Sequence, residues 1–561
     1  MDYKPLDFRR KNRRKAVRTI VQLAVVALLF FLLVNALLSI NSYREPDRSE
    51  WKNREGFVAI SYFGVGRKGT NELMAKERLG EQLRALYERG YETVSQSDIL
   101  AFYKEGKPLP EKALFLAFED GRNDSELFSS GFLERYNFKA TLLSYADKAG
   151  NKEGKFIQPK EMLKMMKTGY WELGSNGYRL EYINIVDKDG QFMGMRKHNE
   201  FLNQIGADYY THYLMDFLRD EYGIPVETRE EMEGRLNSDY DLLERVYNTK
   251  LGFVPGVYMI MHANTMYSDM NPLVEAVNET NIRKLFQMHF NREGASYNSA
   301  SGNVYNLTRV QPAPYWQTNH LLMQLKRDSN GELPFVVGDS AAASHWKLGD
   351  GAAAEFKEDW IALTTPPGKE GTLTLQNSQK WGDVEIKLNF GGHYSGYQSL
   401  YLRSDDDRES YIRILLREGE LVVDQKAKEE TVERLLAYPI DNGRGTARKE
   451  TSLKVKLIGD KLDLWMDGNK LLDQESVKPS INSGSLLLSA EADSKEVRWN
   501  EYDERDTIYD GVFRALEVRT ATIRDEKGEV LFTSRGSLWN SISNGIERAF
   551  HGAIDWAIDT F

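Results

Sequence analysis

Residues 113 to 142, ALFLAFEDGRNDSELFSSGFLERYNFKATL, constrain the fold more than any other stretch of the chain. Leu114, Phe115, Leu116 and Phe118 form a short continuous apolar run, the pattern of a strand that a parallel sheet buries on both faces. An acidic turn, Glu119, Asp120 and Gly121, closes that run, and an amphipathic helix and a second strand follow. In parallel α/β folds ligands bind at the carboxyl ends of strands, where adjacent carboxylates serve as metal ligand or general base. Chemistry in this chain is therefore expected to start at Glu119 and Asp120.

The flanks repeat the same grammar. Phe57 to Tyr62 reads as the first strand, and from Met74 to Arg89 the residues Met74, Leu79, Leu83 and Leu86 keep a helical spacing that Gly90 ends. A strand at Glu92 to Val94, a helix at Ser97 to Tyr103 and the pair Leu109 and Pro110 follow. Strands alternating with helices predict a βα barrel or an open βα sheet. This order of elements resembles the polysaccharide deacetylase family (NodB homology domain, carbohydrate esterase-like), in particular its extracytoplasmic branch acting on exopolysaccharides. The family's Thr-Phe-Asp-Asp-Gly turn corresponds to Ala117, Phe118, Glu119, Asp120 and Gly121, and its Tyr-His to Tyr62 and Phe63.

A second stretch, Glu172 to Glu181, is similar to the family's Glu-Ile-Gly-Ser-His-Thr-x-x-His-Pro motif. Two histidines four residues apart let two imidazoles share one divalent metal with a carboxylate. Here those positions are Asn176 and Leu180, so Asp120 alone survives of the Asp-His-His triad that the resemblance implies. No metal set and no cofactor is expected; zinc or another divalent ion enters only through a rearranged site. Their place at a strand's carboxyl end makes Glu119 and Asp120 the candidate catalytic pair if the chain is active. Tyr62, Trp171, Asn176, Tyr178, His262, Asn264 and Trp316 are the candidate substrate-binding residues, the aromatics by stacking on sugar faces. A glycosidase would need two carboxyl groups across the scissile bond, with Glu119, Asp120 and Glu172 as the available set.

Between residues 181 and 245 an insertion rich in Tyr, Asp and Glu predicts a lid or wall over the barrel mouth. Gly256 to Asn264 and Thr308 to Trp316 read as later barrel strands. From Ala353 onward the pattern changes to short alternating strands, and Asp467 with Gly468 is a strong hairpin signal. This predicts an antiparallel jelly-roll sandwich similar to concanavalin or laminin G-like domains. Residues 537 to 561 place Trp539, Ile542, Ile546, Ala549, Ala553, Trp556 and Ala557 on one stripe, predicting a C-terminal amphipathic helix.

The N-terminus sets the compartment. Residues 20 to 40 are nearly all apolar, enough for a bilayer core that needs about 20 residues. Eight bases against two acids precede them, giving the first eighteen residues +6 and leaving −16 of the formal −10 for the remainder. By the positive-inside rule this predicts a single-pass type II protein of the cell membrane, with the bulk extracytoplasmic; a cleaved signal peptide ending near Ala36 is the alternative. An acidic ectodomain fits no nucleic-acid partner, and the absence of cysteine excludes disulfides and thiolate chemistry.

The predicted organisation is thus α/β plus all-β: a basic tail (1–19), a transmembrane helix (20–40), a stalk (41–55), a (βα) deacetylase-like barrel (56–330), a sandwich (340–535) and a terminal helix (537–561). The resemblance implies a protein that binds or processes an extracellular polysaccharide, beside a synthase or export complex in the same membrane. An active hydrolase and a protein-interaction scaffold are the competing expectations.

Overall fold

The computed structural model describes residues 12–13, 15–27, 42–151, 154–187, 189–197, 207–260, 266–267, 270–329, 331–393, 396–417, 419–440, 450–493, 506–522 and 528–534. Nine strands organise the first part: β1 (Gly56–Tyr62), β2 (Glu92–Thr93), β3 (Ala113–Phe118), β4 (Ala140–Tyr145), β5 (Trp171–Gly177), β6 (Val257–Met259), β7 (Met288–Glu293), β8 (Tyr297–Ser299) and β9 (Leu307–Arg309). They run in the order β8-β1-β3-β4-β5-β6-β7-β9, with β2 beside β3. Every pairing is parallel except that of β8 with β1. Past the end of β9, Val310 returns to β1: its N–H donates to Ala59 at 3.0 Å and its carbonyl accepts from Ser61 at 2.9 Å. The sheet is thereby a nearly closed barrel.

Side chains divide by parity. Phe57, Ala59, Phe115, Ala117, Val257, Met259, Met288, Phe290 and Leu307 pack together inside, where Phe115 and Phe290 stack at 4.7 Å. Their neighbours Val58, Ile60, Tyr62, Leu114, Leu116 and Phe118 pack outward against Leu79, Leu83 and Leu86 of helix α1 (Lys76–Glu88). Burial on both faces is why the run in β3 shows no alternation. The insertion contributes a three-stranded antiparallel sheet (Glu181–Asp187, Phe192–Lys197, Ala207–His212) and a helix, α2 (Arg229–Lys250), capped by Thr228 and Glu231.

The later part folds as two antiparallel sheets of seven and eight strands, whose facing apolar residues share one core that includes Leu400, Ile412, Ile414, Leu388, Val455 and Phe513. The hairpin signal is realised between Lys461–Met466 and Asn469–Ser476, where Asp467 and Gly468 both take positive φ.

A buried polar seam joins the two parts. His320 holds Asp510 through Nδ1 at 3.0 Å and Asp506 through Nε2 at 3.2 Å. Asp506 Oδ2 also accepts from the Tyr315 hydroxyl and the Trp316 indole N–H, each at 2.9 Å, and Asp510 accepts from Gln317 N–H and Thr364 Oγ1. Burial alone would lower the His320 pKa, but the two carboxylates outweigh it and raise it to about 9.

Residues 42–55, read from the sequence as a stalk, lie on the barrel. Tyr43 N–H donates to the Thr168 carbonyl at 2.9 Å, Asn137 bonds both polar groups of the Arg44 backbone, and Trp51 is buried with its indole N–H on Glu92. Aromatic burial and these bonds offset the entropy that favours a free linker. Residues 15–27 form a helix, while 28–41 lie outside the described residues; no helix among the described residues is long and apolar enough to cross a membrane. The tail 537–561 is also outside them.

His320→Gln leaves two buried aspartates without their cation and is expected to cost roughly 3 to 5 kcal/mol in denaturant unfolding. A histidine with a raised folded pKa stabilises below its ordinary pKa and loses that contribution as pH rises through about 9. The wild-type melting temperature should therefore fall between about pH 7 and 9, and this fall should be absent in the variant.

Candidate functional site at the barrel mouth

The inward parity of β1, β3 and β9 continues past the apolar layers into a polar one: Ser61 follows Phe57 and Ala59, Glu119 follows Phe115 and Ala117, and Arg309 follows Leu307. Glu119 is fully buried there. Its Oε1 accepts from Ser61 Oγ at 2.5 Å and from Gln311 Nε2 at 3.1 Å, and Arg309 Nε lies 3.5 Å away. Arg309, itself buried, also faces Glu293 at 3.3 Å, so one guanidinium is shared by two carboxylates. Glu119 Oε2 is buried without a hydrogen-bond partner. A buried carboxylate oxygen left in this state is costly.

Asp120 turns the chain out of the strand. Both Asp120 and Gly121 are left-handed, at φ 64° and 59°, a conformation that costs a non-glycine residue energy and collects at functional sites. A Cβ on Gly121 would stand 2.8 Å from Ser144 Cβ, so the turn needs glycine. The Asp120 N–H donates to Asn176 Oδ1 at 3.1 Å, and the carboxylate meets Arg122 Nη1 at 3.4 Å. Burial is the main influence on Asp120 and raises its pKa to about 6, with Arg122 pulling the other way. The same burial, with the charges of Asp120 and Glu119, pushes the Tyr145 hydroxyl well up, which keeps it a neutral donor. A cavity of about 10 Å³, space for about one water, adjoins Asp120 between Tyr145, Lys148, Phe156, Met162 and Tyr247.

The donor set does not fit the metal that the family resemblance implies. Asn176 is engaged at both ends, with Oδ1 accepting from Asp120 and Nδ2 donating to the Met259 carbonyl at 2.8 Å. Leu180 packs in an apolar cluster with Tyr145, Tyr182 and Ile185. Among the described residues no group of three His, Cys, Asp or Glu side chains is placed to hold a metal ion.

The other residues named from the sequence are dispersed. Tyr62 points outward, stacked on Phe118 at 5.7 Å with its hydroxyl donating to Gln82. Trp171 and Glu172 open β5 at its amino end, where Trp171 is buried against Phe118 on the outer side with its indole N–H on Ser130, and Glu172 accepts from the Gln96 N–H. Trp316 is buried in the seam, stacked on His320 at 4.2 Å. Tyr178 follows β5 on the mouth side beneath Arg179. His262 and Asn264 lie outside the described residues. Ser61, Arg122, Arg309 and Gln311 belong to the mouth although sequence reasoning passed over them. Counting alternate positions along Leu307, Arg309 and Gln311 is the signal that finds the last two.

No protein-family profile matches the chain. Over 107 residues it is 35% identical to the poly-beta-1,6-N-acetyl-D-glucosamine N-deacetylase of Escherichia coli K12, covering 18% of this chain and 16% of that protein. The chain thus matches about a sixth of that relative's length. Among solved structures it is similar to the Streptococcus pyogenes deacetylase PplD in complex with acetate, at 12% identity and a TM-score of 0.33, over 48% of this chain and 98% of that one. It is also similar to the carbohydrate-binding module CBM66 from Bacillus subtilis, at 16% identity and a TM-score of 0.23, over 31% of this chain and 94% of the module.

A carboxyl whose folded pKa is raised stabilises the protein only below its ordinary pKa, and stability is lost as pH rises through the folded value. For Asp120 that loss falls between about pH 4 and 6 and amounts to roughly 3 kcal/mol. Asp120→Asn is therefore expected to melt higher than wild type at pH 7 and to lack the decline between pH 4 and 6, measured by thermal unfolding across that range.

Proposed function

We propose that this chain binds an N-acetylated extracellular polysaccharide at the barrel mouth, as a polysaccharide-deacetylase-like protein without the family's metal-dependent site. The observation that carries the reading is Glu119: a carboxylate oriented by Ser61, Gln311 and Arg309, with Oε2 buried and unpartnered. Such an oxygen is an acceptor for a hydroxyl or amide N–H, the donors an N-acetylated sugar carries. The stretch 35% identical to an enzyme named for an N-acetylglucosamine polymer supports the same ligand class. The formal charge of −16 outside the basic tail is compatible with a neutral glycan and repels polyanions.

The place of action in this reading is outside the cell membrane. Residues 20–40 serve as the anchor and the eight preceding bases hold the tail inside, which puts the barrel beside the machinery that makes or exports the polymer. The two antiparallel sheets then act as a second carbohydrate-facing unit on the same chain.

A glycosidase reading is less favoured because Glu172 sits at the wrong end of β5, hydrogen-bonded to Gln96, and cannot face Glu119 across a bond at the mouth. The test is binding of a poly-N-acetylglucosamine preparation to the full chain, followed by sedimentation or calorimetry. Wild type is expected to bind, and Glu119→Gln to weaken binding by at least about tenfold, the loss of one charge-assisted hydrogen bond. Equal affinity of the two proteins, or no binding by wild type, would sink the proposal.

A further inference from the structure

Arg122 stands two residues beyond Asp120, and the two left-handed residues Asp120 and Gly121 fold its side chain back onto that carboxylate. Its backbone is fixed by a bridge to Phe156, and the next residue, Asn123, donates its N–H to the Lys155 carbonyl. The guanidinium side chain is only 15% exposed, yet its one contact with Asp120 is a loose 3.4 Å and its Nε is buried with no hydrogen-bond partner. A guanidinium carries five N–H donors in a planar fork suited to carboxylate and acyl oxygens, so most of its donor capacity is unspent. Lys148 and Lys155 add positive charge close enough to act on the same carboxylate. The positions that would complete a metal site are meanwhile closed, Asn176 by two hydrogen bonds and Leu180 by apolar packing.

We infer that Arg122 receives an acyl or carboxylate oxygen on its guanidinium at the mouth and binds it without metal. The ligand class is an oxygen anion or amide carbonyl on a small acyl group, and its identification with a sugar N-acetyl group rests on the function proposed above. Asp120 is the carboxylate that faces the fork. Nothing is cleaved or transferred in this role, which is one of binding and orientation.

The experiment uses the full chain, purified, treated with a chelator and desalted, with metal content measured before and after. Two probes are titrated by calorimetry, sodium acetate and an N-acetylglucosamine oligosaccharide, against wild type, Arg122→Gln and Arg122→Lys, with circular dichroism and melting temperature recorded for each. Expected are substoichiometric metal, affinities unchanged by chelation, a loss of at least about tenfold in Arg122→Gln, and partial recovery in Arg122→Lys. Acetate binding lost in Arg122→Gln while the oligosaccharide binds none of the proteins would retain the Arg122 role and remove the polysaccharide reading. Stoichiometric metal whose removal abolishes binding would overturn the inference, as would unchanged affinity for both probes in a folded Arg122→Gln protein or no acetate binding by wild type. Oligosaccharide binding that is indifferent to Arg122 would leave the polysaccharide reading standing without it.

Discussion

The two backbone hydrogen bonds between Val310 and β1 are the constraint on which the mouth depends. They draw the end of β9 against the first strand and so carry Arg309 and Gln311 across the barrel to Glu119, nearly two hundred residues away in sequence. Without that closure β9 and the half of β1 beyond its pairing with β8 would be open edges, and edge strands present unpaired backbone groups that must be covered. With it, inward-facing positions stack in layers, apolar at the level of Phe115 and Phe290 and polar at the level of Ser61, Glu119 and Arg309. The polar layer is confined to the carboxyl ends of the strands, where the chain can afford charge because the hydrophobic layers below already fill the interior.

Much of this was legible in the sequence, because one local pattern encodes it. The run from Leu114 to Phe118 announces a strand buried on both faces, and the acidic turn after it marks the end at which ligands bind. Orientation was harder. Tyr62 and Glu119 both sit at strand ends, but the parity that points Ser61 and Glu119 inward points Tyr62 toward α1, a distinction set by strand register and barrel closure. Trp171 opens its strand rather than ending it, which a motif aligned by resemblance does not reveal. Trp316 was drawn away from the mouth by Asp506, a partner 190 residues distant that no local pattern announces. Polar composition suggested a stalk at residues 41–55, whereas Tyr43 and Trp51 supply enough aromatic surface to dock it.

Asn176 is a structural part of the turn. Its amide accepts from the N–H of Asp120 and donates to the Met259 carbonyl, so it ties the strained turn of β3 to β5 and β6. An imidazole with one neutral tautomer offers one donor and one acceptor as well, but spending both on backbone would leave nothing for a cation. Asn176 therefore supports an aspartate held at positive φ. Strain of this kind persists only when its surroundings over-determine it, and here the Asn176 bond, the glycine at 121 and the close approach of Ser144 do so together.

The seam at His320 links this site to the rest of the chain by a different route. Trp316 and Gln317 follow directly from the segment that carries Arg309 and Gln311, and both are held by aspartates of the second part, Asp506 and Asp510. The seam thus fixes the segment that supplies two of the groups around Glu119. A buried imidazolium between two carboxylates contributes little net stability against an apolar replacement, but it enforces one arrangement because any displacement strands a charge. Positional specificity of this kind is what the mouth needs, since Gln311 reaches Glu119 only while the segment before Trp316 keeps its path. The second part of the chain therefore acts on the mouth through the geometry of one connecting segment.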